Sequence, residues 1–181
     1  MTRPTNARAA GTAFLVYIAA GVTPMAVATG RLIGIVLSLT ECFCALVLAV
    51  TLYAITRDED PDIALLALAC RVVEGMLGAT FLVWRLAGAP VGDAPRYNFM
   101  IAALFFAVGS TLFCWLLLRG RMIPLAMAWL GLIASVLLVV GLPLQLGGVV
   151  TGAPTQIMWL PMLAFEVPFG VWLIVKVPSR P

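Results

Sequence analysis

Long apolar runs, separated by short polar turns, occupy almost the whole chain. Each run has about 20 residues or more, which is the length that a helix needs to cross a hydrocarbon core of about 30 Å. Such runs are about twice as long as the strands of a membrane barrel, so they predict helices. The runs comprise residues 9–28, 32–56, 63–88, 98–118, 123–146 and 157–176. We therefore expect an all-α fold, a compact bundle of six transmembrane helices that forms one domain over residues 1–181.

The first run also has the features of a secretory signal. Arg3 and Arg8 precede it, and the Ala-Val-Ala sequence at residues 26–28 matches the small-residue pattern of a cleavage site. A processed chain would lack Met1, which this sequence has, so we expect a retained helix.

Basic residues near the ends of the predicted helices indicate the orientation. If the N-terminus is cytoplasmic, seven basic residues lie on the inner side and two, Arg31 and Arg96, lie on the outer side. The inner seven are Arg3, Arg8, Arg57, Arg119, Arg121, Lys176 and Arg180. Because basic residues accumulate in cytoplasmic loops, we expect both termini in the cytoplasm.

The composition supports the membrane assignment and excludes several functions. Apolar residues make up 63% of the chain and charged residues 10%, against about 45–50% and about 25% in soluble domains. The net charge is only +3 and the basic residues are scattered, which argues against nucleic-acid binding. The absence of histidine excludes bis-histidine haem, the common zinc sites and catalytic pairs that use histidine. All four cysteines fall in apolar runs, where we interpret them as packing residues, so we expect no metal and no cofactor.

Five ionisable residues lie inside the predicted spans: Glu41, Arg71, Glu74, Arg85 and Glu166. An ionisable side chain at the centre of a membrane helix costs about 2.5–3.5 kcal/mol on insertion scales, so each needs a partner, a water-filled cavity or a function. A rise of about 1.5 Å per residue places the three glutamates about 13–17 Å from the nearer helix end, close to the midplane. Arg85 is nearer the outer helix end, where a long side chain can also extend to the interface.

The third predicted helix carries a polar stripe. Arg71 and Glu74 are three residues apart on one helix face, so their spacing predicts an ion pair. The same face continues through Gly78, Phe81 and Arg85 to the outer end of the helix. Three ionised midplane carboxylates against one guanidinium would leave a net charge of −2. We therefore expect at least one carboxyl group to be protonated or neutralised by a bound group.

The second and sixth predicted helices have features that suit a shared site. Gly34 and Ser38 lie on the face of Glu41, and small residues allow close helix packing. Pro168 follows Glu166 and removes a helical hydrogen bond, so we expect the sixth helix to kink or open there. These features predict a midplane cavity bounded by the second, third and sixth helices and open outward along the stripe.

Four short motifs resemble those of a known family. They are the alanine-rich opening at residues 9–11, Arg-Val-Val-Glu at 71–74, Arg-Gly-Arg-Met-Ile-Pro at 119–124 and the closing segment 166–176. The chain resembles the bacterial membrane proteins grouped as domain of unknown function family 4386. The resemblance implies a compact multi-helix protein of the bacterial inner membrane, with Arg71, Glu74 and Glu166 at hallmark positions, and it implies no activity. The short turn between the first two helices departs from longer relatives and puts an external loop function in doubt.

The leading hypothesis for the function is a membrane-embedded site for a small apolar or amphipathic molecule, with membrane lipids as further partners. A catalytic site of this kind would isomerise or cyclise its substrate, with Glu74 as the general acid and Arg71 as the group that orients it. Glu41 and Glu166 would be the second acid or base, or would orient the ligand. The other expected ligand-binding residues are Ser38, Gly78, Phe81 and Arg85.

Three alternatives stay open from the sequence. The chain could be a proton- or cation-coupled transporter subunit, with a homodimer supplying the missing half. It could be a non-catalytic accessory or regulatory subunit whose polar seam binds another helix. Finally, the midplane charges could form a purely structural network that holds three helices together.

Overall fold

A computed structural model describes residues 2–27, 30–87 and 94–176, without the side chains of residues 24–26, 84, 85, 87 and 95. These residues form helices and turns, with no strand among them. The helices are α1 Arg3–Ala26, α2 Arg31–Thr56, α3 Pro61–Ala87, α4 Ala94–Arg119, α5 Leu125–Leu146, α6 Pro154–Ile157 and α7 Leu160–Val175. The all-α class predicted from the apolar runs is confirmed.

Local sequence explains where several helices begin and end. α3 begins at Pro61, which needs no hydrogen-bond acceptor for its nitrogen in the first turn of a helix. Asp60 precedes it and accepts the backbone N–H of Ile63 at 3.2 Å through Oδ1. The turn after α4 places Arg121 at a φ of 48°, and Pro124 then precedes α5.

The helices form a ring in chain order. Each of α1 to α5 packs against the next long helix in the sequence, which for α5 is α7. The ring closes where α7 packs against α1. Neighbours run antiparallel. Gly109 of α4 lies against Cys70 of α3, for example, and Asn98, nearer the start of α4, donates through Nδ2 to the carbonyl of Leu77, later in α3, at 2.8 Å.

α1 and α7 meet at a crossing of two glycines. A Cβ atom on Gly11 would lie 2.5 Å from the carbonyl oxygen of Gly170 and 2.8 Å from a side-chain carbon of Ile174. The backbones therefore approach to a distance that only glycine at position 11 permits. Phe14 and Phe169 pack edge to face one turn deeper, with ring centres 5.4 Å apart.

The polar turns at one end of the bundle are connected by side chains, and we call this the basic end. Arg3 Nη2 donates to the carbonyl of Ile55 at 3.1 Å, which connects the start of α1 to the end of α2. Arg119 Nη1 lies 3.4 Å from Asp60 Oδ2, which connects the end of α4 to the turn before α3. Four of the basic residues assigned to the inner side, Arg3, Arg57, Arg119 and Arg121, occur at helix termini or turns of this end.

Among the residues that the structure describes, five segments are long and apolar enough to cross a membrane. They are Arg31–Thr56, Pro61–Val83, Arg96–Arg119, Leu125–Leu146 and Pro154–Val175. The helix α1 is not among these five. Large apolar side chains such as Phe43, Val83 and Ile133 are more than 60% exposed on the outside of the bundle, as expected for contact with lipid. The protein is therefore a multi-pass membrane-type helical protein, and the sixth crossing stays a prediction.

The last predicted helix is interrupted at a different place from the one expected. The short α6 ends at Ile157, and α7 begins at Leu160 after a two-residue turn. α7 then continues through Pro168 without a break, so the helix does not open beside Glu166 as expected. Pro161 lies in the first turn of α7, where a missing N–H costs nothing, and a helix starting there follows naturally.

Candidate functional site

An ion pair inside α3 forms the centre of the candidate site. Arg71 Nη1 lies 2.9 Å from Glu74 Oε2, with the two residues 1% and 6% exposed. The pair predicted from their three-residue spacing is thus present. Gly109 of α4 lies against the aliphatic part of the Arg71 side chain, where an added Cβ would come within 3.3 Å of Cγ. The missing side chain at position 109 therefore makes room for the arginine between the two helices.

Tyr17 of α1 completes the hydrogen bonding of Glu74. Its hydroxyl donates to Glu74 Oε1 at 2.7 Å, so one carboxylate oxygen faces a phenol and the other faces a guanidinium. Sequence reasoning missed Tyr17. Its position in the middle of an apolar run was the available clue, because a buried tyrosine hydroxyl needs a partner when no water is present.

Two aromatic rings border the guanidinium of Arg71. Its Cζ lies 4.9 Å from the ring centre of Phe106 in α4 and 5.5 Å from that of Tyr17. Rings at this distance attract a desolvated cation through their quadrupoles. The aromatic neighbours therefore offset part of the cost of burying Arg71, and they come from two other helices, α1 and α4.

Several polar atoms of this cluster lack hydrogen bonds. Within the described part of the chain, no acceptor is aligned with Nε, Nη1 or Nη2 of Arg71, and the 2.9 Å contact with Glu74 is an ion pair without hydrogen-bond alignment. Glu166 Oε1 on α7 is also buried without a partner. Glu166 interacts electrostatically with both Arg71 and Glu74. Since buried polar groups are nearly always hydrogen-bonded, the cluster has unused capacity on both its cation and its carboxyl groups.

A small void lies beside Arg71. It leaves about 10 Å³ for the centre of a water molecule, which is room for one water at most. Apart from Arg71 and Ser110, its lining is apolar and includes Phe14, Phe113, Met162 and Phe165. The void is thus bounded by α1, α2, α3, α4 and α7, a wider set of helices than the second, third and sixth that the sequence predicted.

Glu41 lies apart from the buried cluster. It is half-buried on α2, and its Oε1 packs against Gly21 of α1, where a Cβ would come within 2.7 Å. It interacts electrostatically with Glu74, but it makes no hydrogen bond or ion pair among the described residues. The structure therefore brings Arg71, Glu74 and Glu166 together and leaves Glu41 at the edge.

The four expected ligand-binding residues are less closely associated with this cluster. Ser38, Gly78 and Phe81 are half-buried on α2 and α3, and an added Cβ on Gly78 would lie 3.2 Å from Cys42 Sγ. Arg85 lies in α3, but its side chain is outside the described part of the structure. Their role as ligand contacts stays a prediction.

No metal site was expected, and the described ranges contain no group of three or more cysteine, aspartate and glutamate side chains arranged to hold a metal ion. The arrangement around Arg71 instead offers hydrogen-bond donors from a fixed cation and proton-binding carboxyl groups. Such groups can hold a polar ligand atom, a water molecule or a proton.

Comparison with known proteins places the chain in one family. No curated protein and no solved structure matches it. A family model described as "Domain of unknown function (DUF4386)" matches residues 25–176, which include α2 to α7 and the positions of Arg71, Glu74 and Glu166. The matched region excludes Tyr17 and the opening motif at residues 9–11. Because the match covers most of the chain, the protein belongs to this family of unknown function, as its motifs predicted.

Proposed function

We propose that this protein binds a small apolar or amphipathic molecule at the buried site centred on Arg71. The single observation that carries the proposal is the guanidinium that is 1% exposed and makes no aligned hydrogen bond within the described residues. Leaving buried donors unpaired costs about 1–3 kcal/mol each, more for charged groups, so a partner atom is expected there for part of the working cycle. A carbonyl, hydroxyl or carboxylate oxygen of the ligand would be that partner.

The apolar lining sets the character of the rest of the ligand. Phe14, Phe113, Met162 and Phe165 surround the void and provide no further charge. A site with one strong donor group and apolar walls favours a molecule with a single polar end. Since the void holds one water at most, such a molecule would have to displace these side chains as it enters.

The surroundings of the carboxyl groups favour Glu166 over Glu74 for acid chemistry on this ligand. Glu74 receives a hydrogen bond from Tyr17 and faces Arg71, which are the contacts of an ionised carboxylate. Glu166 has an oxygen free for a proton and a substrate. In this proposal Glu166 donates a proton to an alkene or an epoxide, and its carboxylate then takes a proton from a carbon next to the resulting cation, which forms the new double bond and restores the acid. Arg71 and Glu74 orient the bound molecule. This reverses the assignment expected from the sequence, where Glu74 was the acid.

The Glu74→Gln variant tests the binding site. The amide keeps the size of the side chain and its hydrogen bond with Tyr17, but it removes the charge that holds the Arg71 guanidinium in position for the ligand. We expect the folded variant to lose a small molecule that co-purifies with the wild type, measured by mass spectrometry of a solvent extract together with the melting temperature. Asp62→Asn, at an exposed position in the first turn of α3, is the control. A folded Glu74→Gln variant with the same extract as the wild type would refute the proposal.

A proton relay is the second candidate. Glu74 interacts electrostatically with both Glu41 and Glu166. The void beside Arg71 has the size of one water. Carboxyl groups in such a series can pass a proton through the interior of a helix bundle. In liposomes with a pH-sensitive dye inside, Glu166→Gln would stop proton entry that the wild type allows. Equal rates in the two proteins would exclude the relay through Glu166.

We also propose that α1 is a sixth membrane crossing, with both termini cytoplasmic in a bacterial inner membrane. α1 has 24 residues, about 36 Å at 1.5 Å per residue, and it runs antiparallel to both α2 and α7. A closed ring of alternately antiparallel helices requires an even number of long helices, and α1 supplies the sixth. The basic end then faces the cytoplasm.

A further inference from the structure

A surface groove runs between α1 and α2, away from the Arg71 site. Its volume is about 590 Å³ and it opens outward from the bundle. Residues along it include Thr5, Arg8, Thr12 and Val16 of α1, with Cys44 and Val47 of α2. It begins at Pro4, close to the basic end, where Arg3 contacts the end of α2.

The length of the groove matches the depth of one membrane leaflet. Pro4 and Val16 are 12 residues apart on one helix, about 18 Å at 1.5 Å per residue. Half of a hydrocarbon core of about 30 Å is about 15 Å. A groove that starts at the basic end therefore extends from the interface to near the membrane centre.

The charge in the groove lies at its interfacial end. Arg8 is exposed, no acidic side chain lines the groove, and within the described residues its guanidinium makes no hydrogen bond or ion pair. Thr12 does not compete for a ligand at this end, because its hydroxyl donates to the Arg8 carbonyl at 3.0 Å. Arg8 thus offers an unneutralised cation about 6 Å along the helix from Pro4, and its long side chain can extend from there to the lipid phosphates.

The deeper part of the groove is apolar and open to lipid. Val16 and Val47 are 40% and 43% exposed, and Cys44 is half-buried. An open apolar surface at this depth suits a hydrocarbon chain, which loses nothing by leaving neighbouring lipid. A polar or peptide ligand would lose hydrogen bonds there.

We propose that this groove binds one anionic phospholipid, with its phosphate at Arg8 and an acyl chain along Val16, Cys44 and Val47. The charge of Arg8 and the absence of acidic neighbours select the headgroup, and the length of the groove selects the chain. The site is separate from the one around Arg71 and does not depend on the function proposed there.

Lipid retention by the full-length protein tests this proposal. The protein is reconstituted in nanodiscs that contain equal amounts of phosphatidylglycerol and phosphatidylcholine with identical acyl chains, and native mass spectrometry identifies the lipid retained after release. We expect the wild type to retain one phosphatidylglycerol in preference to phosphatidylcholine. Arg8→Gln should reduce that preference about fivefold, the effect of one basic residue near an anionic surface.

Two further variants separate the effect of the Arg8 charge from the effect of the open space in the groove. Arg31→Gln removes an exposed arginine at the start of α2, outside the groove, and should leave the preference unchanged. Thr12→Trp fills the groove without changing the charge and should reduce retention of both lipids. Equal retention of the two lipids by the wild type, or an unchanged preference in Arg8→Gln, would overturn the proposal. A wild-type dimer that dissociates in the Thr12→Trp variant would also overturn it, because the groove would then hold a second copy of the chain.

Discussion

At the scale of single residues, Tyr17 joins the first helix to the ion pair of the third. The Arg71–Glu74 pair was predictable because residues three apart on a helix are neighbours whatever surrounds them. The contact of Tyr17 was not, because it depends on how α1 rotates against α3. The same limit applies to Glu41, whose depth resembles that of Glu166 in the sequence but whose side chain faces Gly21 and not the buried cluster.

Removing the hydroxyl of Tyr17 should destabilise the protein. In Tyr17→Phe, Glu74 Oε1 keeps its burial and loses its donor, at a cost of about 1–3 kcal/mol in the free energy of unfolding. Thermal melting in detergent would show a lower melting temperature than the wild type. Tyr53→Phe is the matched control, because Tyr53 is half-buried and its hydroxyl makes no hydrogen bond within the described chain. An equal melting temperature for both variants would mean that the Tyr17 bond contributes nothing.

At the scale of helices, the lengths of apolar runs predicted the elements well, but not the details of the last one. The turn at Met158 and Trp159 has no charged residue near it in the sequence, so hydropathy gave no sign of a break. Pro168 suggested an opening that the helix does not make. A proline removes one hydrogen bond, and the neighbouring bonds and packing of Phe165 and Phe169 hold α7 together across it.

The crossing of α1 and α7 should be sensitive to a single methyl group. In Gly11→Ala, the new Cβ would meet the Gly170 carbonyl, so the two helices must separate, and such overpacking costs about 1–3 kcal/mol. We expect a lower melting temperature for this variant.

Gly30→Ala is the control for the glycine substitution. Among the described residues, no atom lies within 4 Å of a Cβ added at this position, which precedes α2. Its melting temperature should stay at that of the wild type. If Gly11→Ala melted at the same temperature as Gly30→Ala, the close approach of α1 and α7 would have no energetic role.

At the scale of the whole molecule, the ring of antiparallel helices is the feature that the sequence did not determine. Hydropathy predicts where helices lie along the chain and basic residues predict their direction, but neither indicates which helices touch. The contact between α1 and α7 depends on two glycines far apart in the sequence. Small residues are common in membrane helices, so this pair could not be selected from the sequence alone.

Cysteine labelling tests the number of crossings. If α1 crosses the membrane, residue 2 and the turn after α5 lie on opposite sides, and if it does not, they lie on the same side. We expect an impermeant thiol reagent to label Thr151→Cys and not Thr2→Cys in intact cells. Both positions are exposed, and the unmodified protein reports any labelling of its four native cysteines. Labelling of both variants from outside would remove α1 from the set of crossings.

The position of both members of an ion pair on α3 has a consequence for membrane insertion. A lone arginine or glutamate costs about 2.5–3.5 kcal/mol to insert, but α3 enters the bilayer with Arg71 and Glu74 already one turn apart. This helix can neutralise its own charges as it leaves the translocon, before other helices pack on it. Glu166 has no basic residue within four positions on α7, so this helix cannot neutralise its own carboxylate. α7 therefore inserts with a carboxyl group that is either protonated or neutralised by a helix already in the membrane.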